Sequence, residues 1–328
     1  MNNIFEKNLH IDPTYQHLEK YVHIMYRGFW TPAKYEKGVR EVDAPHFFNV
    51  LEHLDQEAIK RCILAISIVE DKVKTFWPSV PIDMPQTIIG DVGGLFGQSE
   101  VTHRRSYHSL ADALNVKIED VSKHEALRGR IAYLAKYLEP DPKIIGKKRI
   151  LKKLVLFTAL VERCSLFTQF YILMSYAYHN RGLKTISSLQ ESTAIEEDIH
   201  YKFGLDLINI IKEQFPQLWD EYFVELVTSN IEMAYQSELN LIDWFFESGV
   251  PEHLTKQEVV NFLNYNFNTV CKDLKLDLSF EVDTELFNEK SAWFKTKVFM
   301  TTEPDFFDGM VSGYASDDEE VDIDNFKF

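Results

Sequence analysis

Disulfide chemistry is the first thing this sequence lacks the means for. Its three cysteines, Cys62, Cys164 and Cys271, are odd in number, far apart and set in apolar, helix-like stretches. Neither a disulfide framework nor a thiolate metal site is expected, and all three read as buried thiols. Positive charge is also short: Lys and Arg number 35 against 51 Asp and Glu, a net charge of −16. A surface that negative repels phosphate backbones, so nucleic acid is not an expected partner. No stretch reaches eighteen uninterrupted apolar residues, and the opening MNNIFEKNLHIDPTYQHL lacks the cationic start and apolar run of a signal peptide. No membrane association is expected, and the expected location is the cytoplasm. Strand-like alternation bounded by turns is missing as well.

What remains is 45% apolar and 13% aromatic, enough for a substantial core. Its periodicity is helical, and the expected fold is all-α. Helices are expected over 14–27, 47–77, 90–115, 123–138, 148–181, 186–213, 217–247 and 256–274. Breaks are expected at WPSVPIDMP (77–85), LEPDPKIIG (138–146) and SGVPEH (248–253). The stretch 151–181 is apolar around most of its circumference, which suits the centre of a bundle. Residues 301–328 differ in kind, with nine acidic residues against one Lys. Such a segment cannot bury enough surface to order itself, so the chain divides into a helical domain, 1–300, and a flexible acidic tail, 301–328. The tail's aromatic end, NFKF, has the look of a docking peptide.

Two short motifs carry the chemistry. In SEVTHRRSYHSL (99–110), Glu100, His103 and Tyr107 are spaced by three and four and share one helical face. In EEDIH (196–200), Glu197 and His200 repeat the Glu-x-x-His spacing. A single pair of this kind is more often a solvated surface pair. Two pairs on separate helices, with one carboxylate from each of two further helices, make the six-ligand site of ferritin-like dinuclear carboxylate proteins. Glu162 is one such carboxylate, since it interrupts the apolar run TALVERCSLF, where an unpaired charge would be costly. The other comes from ILAISIVEDKVKTFW, where Glu70 is favoured over Asp71 because it better continues the face of Leu64, Ile66 and Ser67. The expected metal set is therefore Glu70, Glu100, His103, Glu162, Glu197 and His200. Oxygen ligands with one imidazole per ion suit iron or manganese, as two irons, two manganese ions or one of each.

With these motifs on the page, the chain resembles the small, radical-generating subunit of class I ribonucleotide reductase. The likeness rests on FWTP at Phe29 and Trp30, EVTHRRSY, LVER around Glu162, EEDIH, and the acidic segment closing in NFKF, and it covers nearly the whole chain. The resemblance implies a ferritin-like bundle in which two metals, iron foremost, are activated by oxygen. Tyr107, one turn beyond His103, would then be oxidised to a stable radical. A phenol beside an oxidised metal pair is a ready one-electron donor. The likeness also implies electron relay through Trp30, Glu196 and Tyr314, a homodimer, and a large catalytic subunit that docks the tail through Phe326 and Phe328 and reduces ribonucleotides. Leu166 and Phe170, four and eight residues beyond Glu162, would wall the radical pocket. Two positions depart from the family pattern: Glu70 stands where the first ligand is usually Asp, and Glu196 where an Asp usually precedes the fourth carboxylate. The competing reading is a dinuclear oxygenase or desaturase acting on its own organic substrate; a ferritin-like iron store fits the chain's length less well.

Overall fold

The computed structural model describes residues 3–117 and 124–300, without the side chains of 71–73 and 137. The expectations for Tyr314, Phe326 and Phe328, and for an order boundary at 301, lie outside the described residues, as does the side chain of Asp71. The described residues form helices and no strand beyond one isolated bridge, Asn8 to Gln86. No described helix is long and apolar enough to cross a membrane.

In chain order the helices are α1 (Glu19–Arg27), α2 (Ala33–Gly38), α3 (Ala44–Asn49), α4 (His53–Val73), α5 (Phe76–Asp83), α6 (Thr87–Ala113) and α7 (Glu125–Leu134). They continue with α8 (Lys147–Leu156), α9 (Phe167–Tyr178), α10 (Lys184–Gln214), α11 (Glu221–Phe245), α12 (Lys256–Leu274), α13 (Thr284–Lys290) and α14 (Ala292–Phe294). Starts carry ordinary chemistry. Asp220 accepts from the Phe223 amide at the head of α11, and Thr255 with Glu258 forms a reciprocal capping box on α12. The centre of the bundle is made by α4, α6, α10 and the α8–α9 pair. There α4 packs on α6 and α9, and α10 packs on α6, α9 and the segment that links α8 to α9. That linking segment, Phe157–Cys164, is π-helical and buried throughout. All three cysteines are buried thiols.

The expected helices at 14–27, 90–115, 186–213, 217–247 and 256–274 are present. Three expectations are corrected. The single helix expected over 47–77 is three, because the chain turns at 50–52 and again at 74–75. The proline-rich break at 77–85 is helical over most of its length. Pro78 occupies the first turn of α5, where its missing N–H has no helical partner to lose. Pro81 is interior, and the Trp77 carbonyl it leaves unserved lies against α6. The helix expected over 148–181 contains the π-helical segment and a break near Leu166. A π-helical turn holds an extra residue, so spacings of four and eight from Glu162 no longer select one face. Leu166 and Phe170 are buried, but their shared wall does not follow from periodicity.

The seam between α5 and α6 depends on glycine. A Cβ on Gly93 would lie 2.6 Å from the Trp77 carbonyl oxygen, whereas one on Gly94 would meet nothing within 4 Å. Gly93→Ala should therefore lower stability by about 1–3 kcal/mol through overpacking. Gly94→Ala should raise it by roughly 0.5–1 kcal/mol from helix propensity. Denaturant unfolding of the two variants checks the pair, and equal shifts would contradict this packing.

Candidate metal centre

Each motif lies mid-helix, far from fraying ends. Glu100 and His103 are on α6, Glu197 and His200 on α10, Glu70 on the last turns of α4, and Glu162 in the π-helical segment. The four elements bring all six side chains together, none more than 1% exposed. They form two overlapping groups whose ligand atoms lie within 4.8 Å of one another. One is Glu70, Glu100, His103 and Glu197; the other is Glu100, Glu162, Glu197 and His200. Glu100 and Glu197 belong to both, as bridging carboxylates would, while Glu70 with His103 and Glu162 with His200 close the two ends.

The histidines are oriented from behind. His103 Nε2 lies 2.6 Å from Glu196 Oε2, an acceptor, so the ring proton is on Nε2. His200 Nε2 faces Ser99 Oγ at 3.1 Å, and Ser99 already donates its proton to the Phe96 carbonyl at 2.9 Å. Its oxygen is therefore free to accept from Nε2–H. Both Nδ1 atoms consequently face the carboxylates, holding a proton while the site is metal-free and offering a lone pair to a cation that displaces it. His103 Nδ1 is 3.1 Å from Glu197 Oε1, 3.9 Å from Glu100 Oε2 and 4.0 Å from Glu70 Oε2. His200 Nδ1 is 3.1 Å from Glu100 Oε1, 3.2 Å from Glu197 Oε2 and 3.6 Å from Glu162 Oε2.

Whether metal fits can be judged from what these atoms lack. Both oxygens of Glu70, both of Glu100 and Nδ1 of His103 are buried with no hydrogen-bond partner; the 3.1 Å approach of His200 to Glu100 is close without being aligned as a hydrogen bond. Orphaned acceptors on this scale are costly unless a cation serves them. A small divalent ion holds its ligands at about 2.1 Å, which puts neighbouring ligand atoms roughly 3 Å apart at right angles, close to the separations seen here. The imidazole–carboxylate pairing behind His103 is also the usual support of a metal-bound histidine. The residues therefore fit two ions.

Protons are the alternative tenants. Burial pushes the carboxyls of Glu70 and Glu162 well above the ordinary range and raises that of Glu100. Burial opposes charge on His103 and His200 too, but the carboxylates facing them prevail and hold both imidazoliums well above their ordinary range. Glu197 is also disfavoured by burial, yet the two imidazoles facing it outweigh this and lower its pKa.

Trp30 and Glu196, expected as relay residues, lie beside this centre. The Trp30 indole stacks on the His103 ring at 5.9 Å and 26°, and Glu196 holds the far nitrogen of the same ring. Trp30, His103 and Glu196 are thus contiguous. Tyr107 is fully buried and donates to Gln190 Oε1 at 2.7 Å. Three contributors escaped the sequence reading. Trp77 Nε1 donates to Glu162 Oε1 at 2.6 Å, Ser99 orients His200, and Gln190 receives Tyr107. A Trp within an apparent proline break and a Ser or Gln on a helix carry no local mark of such roles; only Ser99, adjacent to Glu100, had a positional hint.

A helical bundle enclosing paired Glu-x-x-His motifs and two further carboxylates is a ferritin-like dinuclear carboxylate protein. Comparison narrows the class. The family model for the ribonucleotide reductase small chain matches residues 9–288, and the chain belongs to that family. It is similar to a ribonucleoside-diphosphate reductase subunit beta of Chlamydia pneumoniae, 30% identical over 94 residues, which spans 29% of this chain and 27% of that relative's length. Among solved structures it resembles a ribonucleotide reductase R2 subunit from Clostridium botulinum, with a TM-score of 0.72 and 14% identity over 86% of this chain and 88% of that one. An R2-like ligand-binding oxidase with a Mn/Fe cofactor shares the fold at a TM-score of 0.64 and 16% identity, covering 80% and 94% of the two chains. At such identities these structures speak for the fold alone.

The proton inventory sets a sign. Glu70, Glu100 and Glu162 bind protons more tightly folded than at their ordinary 4.5, and His103 and His200 more tightly than at 6.5. Their contribution is fully present below those values and is lost as pH rises through the folded ones. Glu197 acts oppositely, but its contribution is already complete above 4.5. Metal-free protein should thus lose stability as pH climbs from about 5 to 8, while metal uptake should release protons and strengthen over the same range. Thermal unfolding with and without Fe(II) or Mn(II) checks both halves; a metal-free protein that grows more stable across that range would contradict the assignment.

Proposed function

We propose that this chain is the radical-generating subunit of a class I ribonucleotide reductase, working with a larger catalytic partner that reduces ribonucleotides to deoxyribonucleotides. The observation that carries the reading is the alignment of a fully buried Tyr107 one turn beyond His103, within a centre whose orphaned carboxylate oxygens and His103 Nδ1 call for cations. Glu70, Glu100, His103, Glu162, Glu197 and His200 would hold the ions. Iron, manganese or one of each satisfies this ligand set. Two such ions, charged by dioxygen, would supply a one-electron oxidant beside Tyr107.

The chain's own residues do the rest. Trp77 fixes Glu162, while Ser99 and Glu196 fix the two imidazoles, so the donor set is organised before any ion arrives. The surrounding apolar core excludes water and soluble reductants from Tyr107. Radical formation would remove one electron and the hydroxyl proton from Tyr107, one hydrogen-atom equivalent in all, which the oxidant supplied by the ions and dioxygen would take up. Trp30, stacked on His103, stands where an electron would pass between the centre and the protein surface. Residues 301–328 would dock the larger partner, with Phe326 and Phe328 as apolar anchors of the sort that dominate small interfaces. Tyr314 supplies an oxidisable side chain at the junction. The family likeness favours a homodimer.

The second reading is direct oxidation of an organic substrate. A cavity of about 280 Å³ lined by Phe76, Val80, Met84, Ile150 and Leu154 favours it, since Phe76 adjoins Trp77, which bonds Glu162. None of the six metal-type residues lines that cavity, and the reading leaves Tyr107 unexplained.

Electron paramagnetic resonance after addition of Fe(II) or Mn(II) and oxygen separates the two. A long-lived tyrosyl signal is expected in the native protein, and none in Tyr107→Phe, which should still bind metal. Product formed from an organic substrate without any tyrosyl signal would favour the oxygenase. Removal of residues 325–328 should leave the radical intact and abolish binding of the large partner. Tyr314→Phe should bind that partner and leave the complex inactive. Nucleotide reduction unchanged by the truncation would refute the docking role.

A further inference from the structure

Tyr107 donates its hydroxyl proton to one partner. Its hydroxyl crosses from α6 to α10 and donates to Gln190 Oε1 at 2.7 Å. Gln190 is itself fully buried, and it precedes Glu197 by seven residues, two turns along the same helical face. A carboxamide has an accepting end and a donating end. Only the accepting end is used, because Gln190 Nε2 is buried with no hydrogen-bond partner. An unserved amide N–H is a poor choice for a core helix position, where Leu or Ile would pack without penalty.

The unused end becomes intelligible when both oxidation states of Tyr107 are considered. We propose that Gln190 is a positioning residue that hydrogen-bonds Tyr107 both as the phenol and as the radical, accepting from the first and donating to the second; this rests on the radical reading given above. As a phenol, Tyr107 gives its proton to Oε1. Once the electron and that proton have gone to dioxygen-derived oxygen, the tyrosyl oxygen is an acceptor only. Oε1 would then face it with lone pair against lone pair. Half a turn of the amide about its last torsion replaces Oε1 with Nε2–H, restores the bond and uses the orphan. A carboxamide does both without changing its own protonation. A Glu would compete for the proton, and a Leu would leave the radical with no directed contact. An amide is too weak a base to retain the proton yet remains a donor at any pH.

Thr193 is the rival. Its hydroxyl also interacts with the Tyr107 oxygen, but it gives its proton to the Leu189 carbonyl at 3.1 Å. The test is electron–nuclear double resonance on the radical of the full-length, metal-loaded protein, in H2O and D2O and with glutamine labelled by 15N in its side chain. An exchangeable proton coupling and a 15N coupling are expected. Gln190→Leu should lose both and raise the largest g value, whereas Thr193→Val should keep the exchangeable coupling. A native radical with no exchangeable coupling overturns the inference and leaves the radical reading standing. So does a coupling that survives Gln190→Leu and vanishes in Thr193→Val. Absence of any tyrosyl radical in the native protein overturns both. Should Gln190→Leu fail to fold, the 15N coupling in the native protein decides alone: its presence supports the bond and its absence refutes it.

Discussion

Four carboxylates held together away from water repel one another and forgo hydration, and the whole molecule is arranged around that expense. In this protein they are Glu70, Glu100, Glu162 and Glu197, each no more than 1% exposed. Without cations such a cluster retains protons, which is why three of the four carboxyls are raised and both histidines hold theirs. The scaffold must therefore be stable enough to keep the groups in place unloaded. It does so with long helices: α6 has 27 residues and α10 has 31. Their middles carry the motifs, so fraying at the ends of these two helices cannot reach Glu100, His103, Glu197 or His200.

A rigid scaffold alone does not aim the ligands. Aim comes from behind the site, through bonds that leave one atom of each ligand facing inward. Glu196 and Ser99 take the outer nitrogens of the two imidazoles, and Trp77 takes one oxygen of Glu162. One residue beyond two of the ligands, Arg163 and Asp198 form a buried ion pair, so the chain that carries Glu162 is tied to the chain that carries Glu197. A buried pair of this kind adds little net stability but strongly disfavours any arrangement that separates it. It therefore constrains the π-helical segment against α10.

The parts legible in the sequence were those written in one helix. Glu-x-x-His recurs at 100–103 and 197–200, and three-residue spacing puts both members on one face whatever the rest of the fold does. Glu162 was legible because a charge within an apolar run needs a reason, and Glu70 because it continued a buried face. The likeness to small-chain reductases rested on EVTHRRSY, LVER and EEDIH, which carry five of these six residues, with FWTP and the acidic NFKF end beside them, and the family match covers all of these but the last. What stayed hidden depends on contacts between elements. The helix through Pro78 and Pro81 is held by its packing on α6, where Gly93 lets the Trp77 carbonyl approach, and local propensity argued against it. The π-helical turn at 157–164 changes which residues share a face, and no residue type announces it. Gln190 and Ser99 become meaningful only when α6 and α10 are laid side by side.

Charge balance links the metal-type cluster to the aromatic side chains beside it. Its four carboxylates carry four negative charges when ionised, so two divalent ions would bring the six-residue ligand set to neutrality with its two imidazoles uncharged. Neutrality is the state that a dry, apolar core tolerates best. Any oxidation of the metals disturbs it by adding positive charge with no solvent to screen the excess. An electron drawn from a neighbouring side chain reverses the disturbance, and the neighbours at hand are aromatic: Trp30 stacked on His103, and Tyr107 buried one turn away on the same helix. On the radical reading proposed above, loss of an electron by Tyr107 would be accompanied by loss of its hydroxyl proton, leaving a neutral side chain and no new charge at that position. The apolar surroundings would then not penalise the oxidised state electrostatically, and the full burial of Tyr107 would keep reductants away from it.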